Sequence, residues 1–187
     1  TCVKPAGTTS LVLGTSSGIH AWHNEFYIRR LRVGKNEPIY KYLLAHNPDL
    51  VQDEYFRPHD TAVIEIPQSA PKGSIMRTES AFDLLERVKK VATEWVKPGH
   101  RTGSNSHNVS ATISLRKHEW DKAGKWMWDN RECYNGLAVL PYDGGSYTQA
   151  PFEDITEAEF NKRVKLLSDV DLSKIIETTD ETDLSGE

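Results

Sequence analysis

Residues 108–115, Asn-Val-Ser-Ala-Thr-Ile-Ser-Leu, alternate strictly between apolar and polar side chains after the first position. Val109, Ala111, Ile113 and Leu115 fall on one face of an extended chain, and Ser110, Thr112 and Ser114 fall on the other. A period of two predicts a β-strand with one buried face, its hydroxyl face turned to solvent in preference to a polar cavity. Further on, Gly136-Leu137-Ala138-Val139-Leu140-Pro141 is apolar without interruption, the pattern of a strand covered on both faces. Between the two, HEWDKAGKWMWDNRE reads as a helix anchored by Trp120, Ala123 and Met127.

Upstream, Thr61–Ile66 is a β-rich run closed by Pro67. Thr78 then caps a helix whose apolar stripe is Phe82, Leu85, Val88, Ala92 and Trp95. Lys97-Pro98-Gly99 stops it, with the lysine at the negative end of the helix dipole. The order strand, helix, strand, helix, strand predicts an α/β protein with a largely parallel sheet, open or closed into a barrel. Three strands are too few to close a barrel, so the chain is expected to be part of a larger fold. Tyr142-Asp143-Gly144-Gly145 signals a turn. Thr156 and Glu159 then form a capping box for a last helix, striped by Phe160, Val164 and Leu167, before a polar, acidic tail.

Composition narrows the function classes. The 187 residues are 37% hydrophobic and 27% charged, with a net charge of −4, which suits one globular domain or a large piece of one. The 23 Lys and Arg are outnumbered by 27 acids and are scattered, so nucleic acid is not an expected partner. No apolar run reaches the roughly 18 residues of a membrane span, no signal peptide is recognised, and a cytoplasmic location is expected. The chain begins at Thr1 without Met, and both ends are expected to be cut ends of a longer protein. Cys2 and Cys133 have no partner at metal or disulfide-scaffold spacing; a reducing compartment and two small buried apolar residues are expected. His20 and His23 are spaced for one helix face but lack a third ligand, so no metal is expected. Arg29-Arg30-Leu31-Arg32, after Phe26-Tyr27, reads as a solvated or carboxylate-paired patch, and Trp120, Trp126 and Trp128 as core and amphipathic surface. No Ser-His-Asp set is defined.

The first residues carry the main functional signal. Lys4-Pro5-Ala6-Gly7-Thr8-Thr9-Ser10 precedes an apolar helical run. Unpaired amides converge at a helix start, the dipole favours an anion there, Gly7 permits close approach, and Thr8, Thr9 and Ser10 add hydroxyls. No Gly-Lys-Thr/Ser follows, so this is no Walker A loop. From the residues alone, a phosphate loop and an ordinary capped helix start both remain open.

Four stretches in order are similar to one family: CVKPAGTTSLVLGTSSGIH, EFYIRRLRVG, SHNVSATISL and NGLAVLPYDGGSYTQAPFEDIT. They resemble the C-terminal part of ribonucleotide reductase large chains, above all the adenosylcobalamin-dependent (class II) ribonucleoside-triphosphate reductases. The Lys-Pro-x-Gly-Thr and Tyr-Ile-Arg-Arg pair in this order is the specific element, and the likeness runs from residue 1 to about 160, with 161–187 as a terminal helix and polar tail. The resemblance implies the C-terminal part of a ten-stranded α/β barrel, a partial barrel in this chain. It implies that Pro5, Ala6, Gly7, Thr8, Thr9 and Ser10 hold the substrate's phosphates, with Ala6 where relatives often carry serine.

For the whole enzyme the resemblance implies adenosylcobalamin as cofactor. A thiyl radical abstracts the ribose 3′-hydrogen, the 2′-hydroxyl leaves as water, and a cysteine pair is oxidised. The radical-cysteine motif and the redox cysteines do not occur here, Cys2 and Cys133 match none of them, and no catalytic residue or metal site is assigned to this chain. The chain is therefore expected to be inactive alone. Its implied partners are a ribonucleoside triphosphate, the N-terminal part of the reductase and a thiol reductant such as thioredoxin. The alternatives are the large chain of an iron-dependent (class I) reductase, disfavoured because Tyr134 and Tyr142 form no tyrosine pair on the last strand, and a non-catalytic nucleotide- or phosphate-binding module.

Overall fold

A computed structural model describes residues 2–142 and 147–175, with the backbone alone for Thr8 and Leu11. The 143–145 part of the expected turn and the acidic tail lie outside the described residues. In chain order the elements are helix α1 (Thr8–Val12), strand β1 (Phe26–Gly34), helix α2 (Pro38–His46), and strands β2 (Val51–Asp53) and β3 (Thr61–Ser69). Helix α3 (Ala81–Val91), strand β4 (Thr112–Leu115), helix α4 (Trp120–Asp129), strands β5 (Ala138–Pro141) and β6 (Phe152–Asp154), and helix α5 (Glu157–Leu166) follow. They form two compact units, Thr1–Glu25 with Ala70–Gly144, and Phe26–Ser69 with Gly145–Glu187.

The first unit is the parallel one. β4 and β5 pair in parallel, from Thr112 opposite Ala138 to Leu115 opposite Pro141, and α4 connects them as the crossover that parallel strands require. The alternation of 108–115 holds: Val109, Ala111, Ile113 and Leu115 are buried, while Thr112 and Ser114 are exposed. These four pack with Leu84, Leu85, Val88, Ala92 and Val96 from the α3 region and with Ala123 of α4.

Several expectations are corrected in this unit. Ser80, not Thr78, caps α3, through a capping box in which Ser80 Oγ accepts the Asp83 amide and the Asp83 carboxylate accepts the Ser80 amide. Trp95 does not continue the buried stripe; it is exposed and Val96 is buried in its place. The cause is a π-helical turn over Ala92–Val96, closed by Lys97 N–H donating to Ala92 O, which adds a residue to the turn and moves the inward position on by one. Trp120 is exposed as well, and Ala123 alone of the three expected anchors is buried. β5 is largely exposed, not covered on both faces: only Val139 is half-buried. Among the described residues its sole strand partner is β4. Neither cysteine is buried, Cys2 being exposed and Cys133 half-buried at the end of a surface 3-10 turn.

The second unit is antiparallel, with strand order β2-β3-β1-β6. The run Thr61–Ile66 belongs here, so it is not part of a parallel sheet. It continues through Pro67, which lies opposite Ile28. β2 reaches only as far as Ile64 along β3, so the missing proline amide leaves no ladder bond unmade on that side. The carboxylate-paired reading is borne out for Arg30 and Arg32, whereas the Arg29 guanidinium lies over the Phe152 ring. Arg30 Nε donates to Glu65 Oε1 at 2.7 Å, its guanidinium also meets Glu153, and Arg32 meets Glu54. Glu65 is 2% exposed and also accepts from Gln52 and Arg163. α5 starts at Thr156, whose side chain accepts the Glu159 amide.

Candidate functional site: the loop at residues 4–10

The loop leaves a strand position. Val3 makes a parallel bridge to Val109, with the Ser110 amide donating to Val3 O at 2.9 Å. The chain then passes through Lys4-Pro5-Ala6-Gly7 directly into α1. Bridge, loop and helix in this order place residues 4–7 between a parallel β-bridge and the start of a helix. The first-turn amides of α1 have no carbonyl of their own helix to bond.

Internal braces hold the loop in shape. The Ala6 carbonyl accepts two hydroxyls, from Ser10 at 2.5 Å and from Ser17 at 2.9 Å. Gly18, at φ +60°, packs so tightly that a Cβ there would lie 2.9 Å from Lys4 O. His20 ties this layer to the sheet: Thr112 N–H donates to Nε2 at 3.0 Å, which places the ring proton on Nδ1, 2.9 Å from Ser17 O. The six expected residues therefore divide. Pro5, Gly7 and Thr9 are exposed, Ala6 is half-buried and Thr8 opens α1. Ser10 is buried with its hydroxyl turned back onto Ala6. A Cβ at Gly7 would meet nothing within 4 Å, so the space over the loop is open.

Ser17, Gly18 and His20 were not singled out for the loop by the sequence, although Thr-Ser-Ser-Gly at 15–18 repeats the hydroxyl–glycine chemistry of the loop itself. Against the loop's braces lies a cavity of about 330 Å³, bounded by Ser16, Gly18, Ile19 and His20 on one side and by Trp22, Ser74, Ile75 and Arg87 on the other. Arg87 is fixed by both carboxylate oxygens of Glu79 and by Ile19 O; the bonds to Glu79 hold the guanidinium above its ordinary pKa. Among the described residues no three His, Cys, Asp or Glu side chains gather to hold a metal ion.

No protein-family model matches the chain. Curated proteins do. An adenosylcobalamin-dependent ribonucleoside-triphosphate reductase of Euglena gracilis is 30% identical over 97% of this chain and 24% of its own length. The enzyme of the same description from Lactobacillus leichmannii is 28% identical over 100% of this chain and 26% of its own. A crystal structure of a B12-dependent (class II) ribonucleotide reductase superposes with a TM-score of 0.73 at 25% identity, over 90% of this chain and 23% of that one. The chain belongs to the class II ribonucleotide reductase family. It spans about a quarter of the length of these relatives.

Reductases of this group depend on adenosylcobalamin, and its fit to the described residues follows from their chemistry and the space they enclose. They gather no metal-ligating cluster, and a cavity of about 330 Å³ sits at the low end of the roughly 300–1,000 Å³ range for drug-sized ligands. A cavity of that size does not hold a corrin. No helix is long and apolar enough to cross a membrane among the described residues.

Proposed function

We propose that this chain is the C-terminal barrel segment of a ribonucleotide reductase, and that residues 4–10 hold the phosphates of a ribonucleoside triphosphate while its 2′-hydroxyl is removed by thiyl-radical chemistry. The observation that carries the proposal is the position of the loop. It follows the Val3 strand bridge without a gap, opens a helix, and is braced on its inner side while Pro5, Gly7 and Thr9 face outward. The parallel β4–α4–β5 unit supports the barrel reading, since a (β/α) barrel is built from such units.

The role of the segment is positioning. Phosphates held at fixed amides set the ribose at a defined distance from the radical centre, an orientation effect worth up to about 7–11 kcal/mol in well-aligned systems. The radical cysteine, the redox cysteines and the cobalamin contacts belong to the remainder of the reductase, and a thioredoxin-type thiol system regenerates the oxidised pair. A cytoplasmic setting follows from that reductant.

The test is reconstitution. The chain is produced together with the N-terminal part of a class II reductase carrying the radical cysteine, association is verified, and ribonucleoside-triphosphate reduction is assayed with adenosylcobalamin. Activity from the pair and from neither part alone is expected. An associated pair that reduces nothing contradicts the proposal.

A further inference from the structure

We propose that His20 is a positioning residue for the loop: acting through Ser17, it holds the Ala6–Gly7 peptide so that the Gly7 N–H points away from the braces and is free to meet an anion. This rests on the loop holding the phosphates. The Ala6 carbonyl is pinned by two hydroxyls, Ser10 Oγ at 2.5 Å and Ser17 Oγ at 2.9 Å. The peptide is trans, and in a planar trans peptide the N–H points opposite to the carbonyl. Pinning the Ala6 carbonyl on the braced side therefore turns the Gly7 N–H to the other side. A Cβ at Gly7 would meet nothing within 4 Å, so that residue is not crowded. Glycine gives this peptide more freedom to turn over than any other residue would. The brace supplies in advance the order that an arriving anion would otherwise have to impose.

Ser17 can brace the loop only if its own backbone is fixed, and His20 fixes it. The ring accepts the Thr112 amide at Nε2, 3.0 Å away, and donates from Nδ1 to Ser17 O at 2.9 Å. Thr112 opens β4, so the ring joins Ser17 to the sheet. Only the neutral ring with its proton on Nδ1 can make both bonds, since Nε2 has to be an acceptor. The ring is not a keystone of the fold. His20 is half-buried and Thr112 is exposed, so water can take the Thr112 amide when the ring is removed. Arg87 of α3 still holds Ile19 O at 3.0 Å. Loss of the ring should loosen the loop and leave the unit folded.

The experiment titrates the full chain with inorganic triphosphate, with circular dichroism to confirm folding and nitrogen NMR to read the His20 ring. The variants are His20→Leu, His20→Gln, Ser17→Ala, the double variant of His20→Leu with Ser17→Ala, and Gly7→Asp. The ring should show a protonated Nδ1 and an unprotonated Nε2. His20→Leu and Ser17→Ala should each weaken binding by about tenfold, the scale of one lost hydrogen bond. The double variant should be within about threefold of either single one, because the two residues act in series. His20→Gln, whose carboxamide oxygen keeps an uncharged acceptor for the Thr112 amide, should recover most of the affinity. Gly7→Asp should abolish binding. If Gly7→Asp abolishes binding while His20→Leu binds like the wild type, the His20 assignment is overturned and the loop stands. Single effects that multiply to about a hundredfold in the double variant, a glutamine no better than leucine, or a ring protonated at Nε2 overturn it as well. If Gly7→Asp leaves binding unchanged, or the wild type binds no triphosphate, the loop reading falls and the His20 role falls with it.

Discussion

The two units of the chain reach stability by different means. The unit containing the loop has an aliphatic interior: Leu85, Val88, Val96, Val109 and Ile113 are each at most 1% exposed, and all but Val96 fall on patterns visible locally in the sequence. The unit containing β1 and β3 carries charge through its interior. Glu65 sits in mid-strand with Arg30, Arg163 and Gln52 around it, and Glu54 is buried beside Arg32 while accepting the amides of Phe56 and Arg57. An aliphatic core tolerates loss by partial collapse, whereas a buried ion set fails when one member goes, because the others are left charged and unpaired. The buried carboxylate of the first unit, Glu119, instead accepts the Arg116 amide at the start of α4.

The sharpest way to break this contrast is Glu65→Ala. It should destabilise by about 3–5 kcal/mol, with hydrogen-exchange protection lost first in β1 and β3; a loss below about 1 kcal/mol would mean that the ion set behaves as a surface feature. Leu85→Ala should cost about 2–5 kcal/mol, with protection lost in α3 and β4 instead. Gly18→Ala tests the join between the aliphatic unit and the loop. The left-handed backbone costs a non-glycine residue about 1–2 kcal/mol, and the added methyl meets Lys4 O at 2.9 Å, so urea denaturation should show at least that loss. Ser80→Ala should cost about 1 kcal/mol.

The smallest effect is a pH dependence. Bonds from the Ser80 hydroxyl and amide hold the Asp83 carboxyl below its ordinary range. A depressed folded pKa gives stability that is fully present above the unfolded value near 3.9 and lost as pH falls through the folded one. Ser80→Ala should therefore flatten the acid limb of the stability profile, while a limb of unchanged slope would assign that limb to other carboxylates.

What the sequence made legible follows the same division. β4, α4, β5 and the Thr156 cap of α5 could be found because their signals are local: a period of two, an apolar run, a threonine at the start of a helical stripe. β1 could not. In Phe-Tyr-Ile-Arg-Arg-Leu-Arg-Val-Gly both faces mix apolar and cationic residues, and the carboxylates that make Arg30 and Arg32 acceptable inside a sheet come from Glu54, Glu65 and Glu153, far away in sequence. The exchange of Trp95 for Val96 was hidden for another reason, since a π-helical turn changes the period within a helix without a residue that announces it. At the loop, the residues facing outward were legible and the braces were not. Ser17, Gly18 and His20 act through the carbonyls of Lys4, Ala6 and Ser17 and the amide of Thr112, contacts that a linear pattern does not record.

The role proposed for residues 4–10 is to hold a substrate's phosphates. Gly7 allows a clean test because added atoms there meet open space. Substrate affinity and turnover are measured in the reconstituted reductase for the wild type, Gly7→Ala and Gly7→Asp. Gly7→Ala should stay near wild type, and Gly7→Asp, which sets a carboxylate where phosphate would rest, should abolish triphosphate binding while the parts still associate. Unchanged substrate affinity in Gly7→Asp would contradict the account.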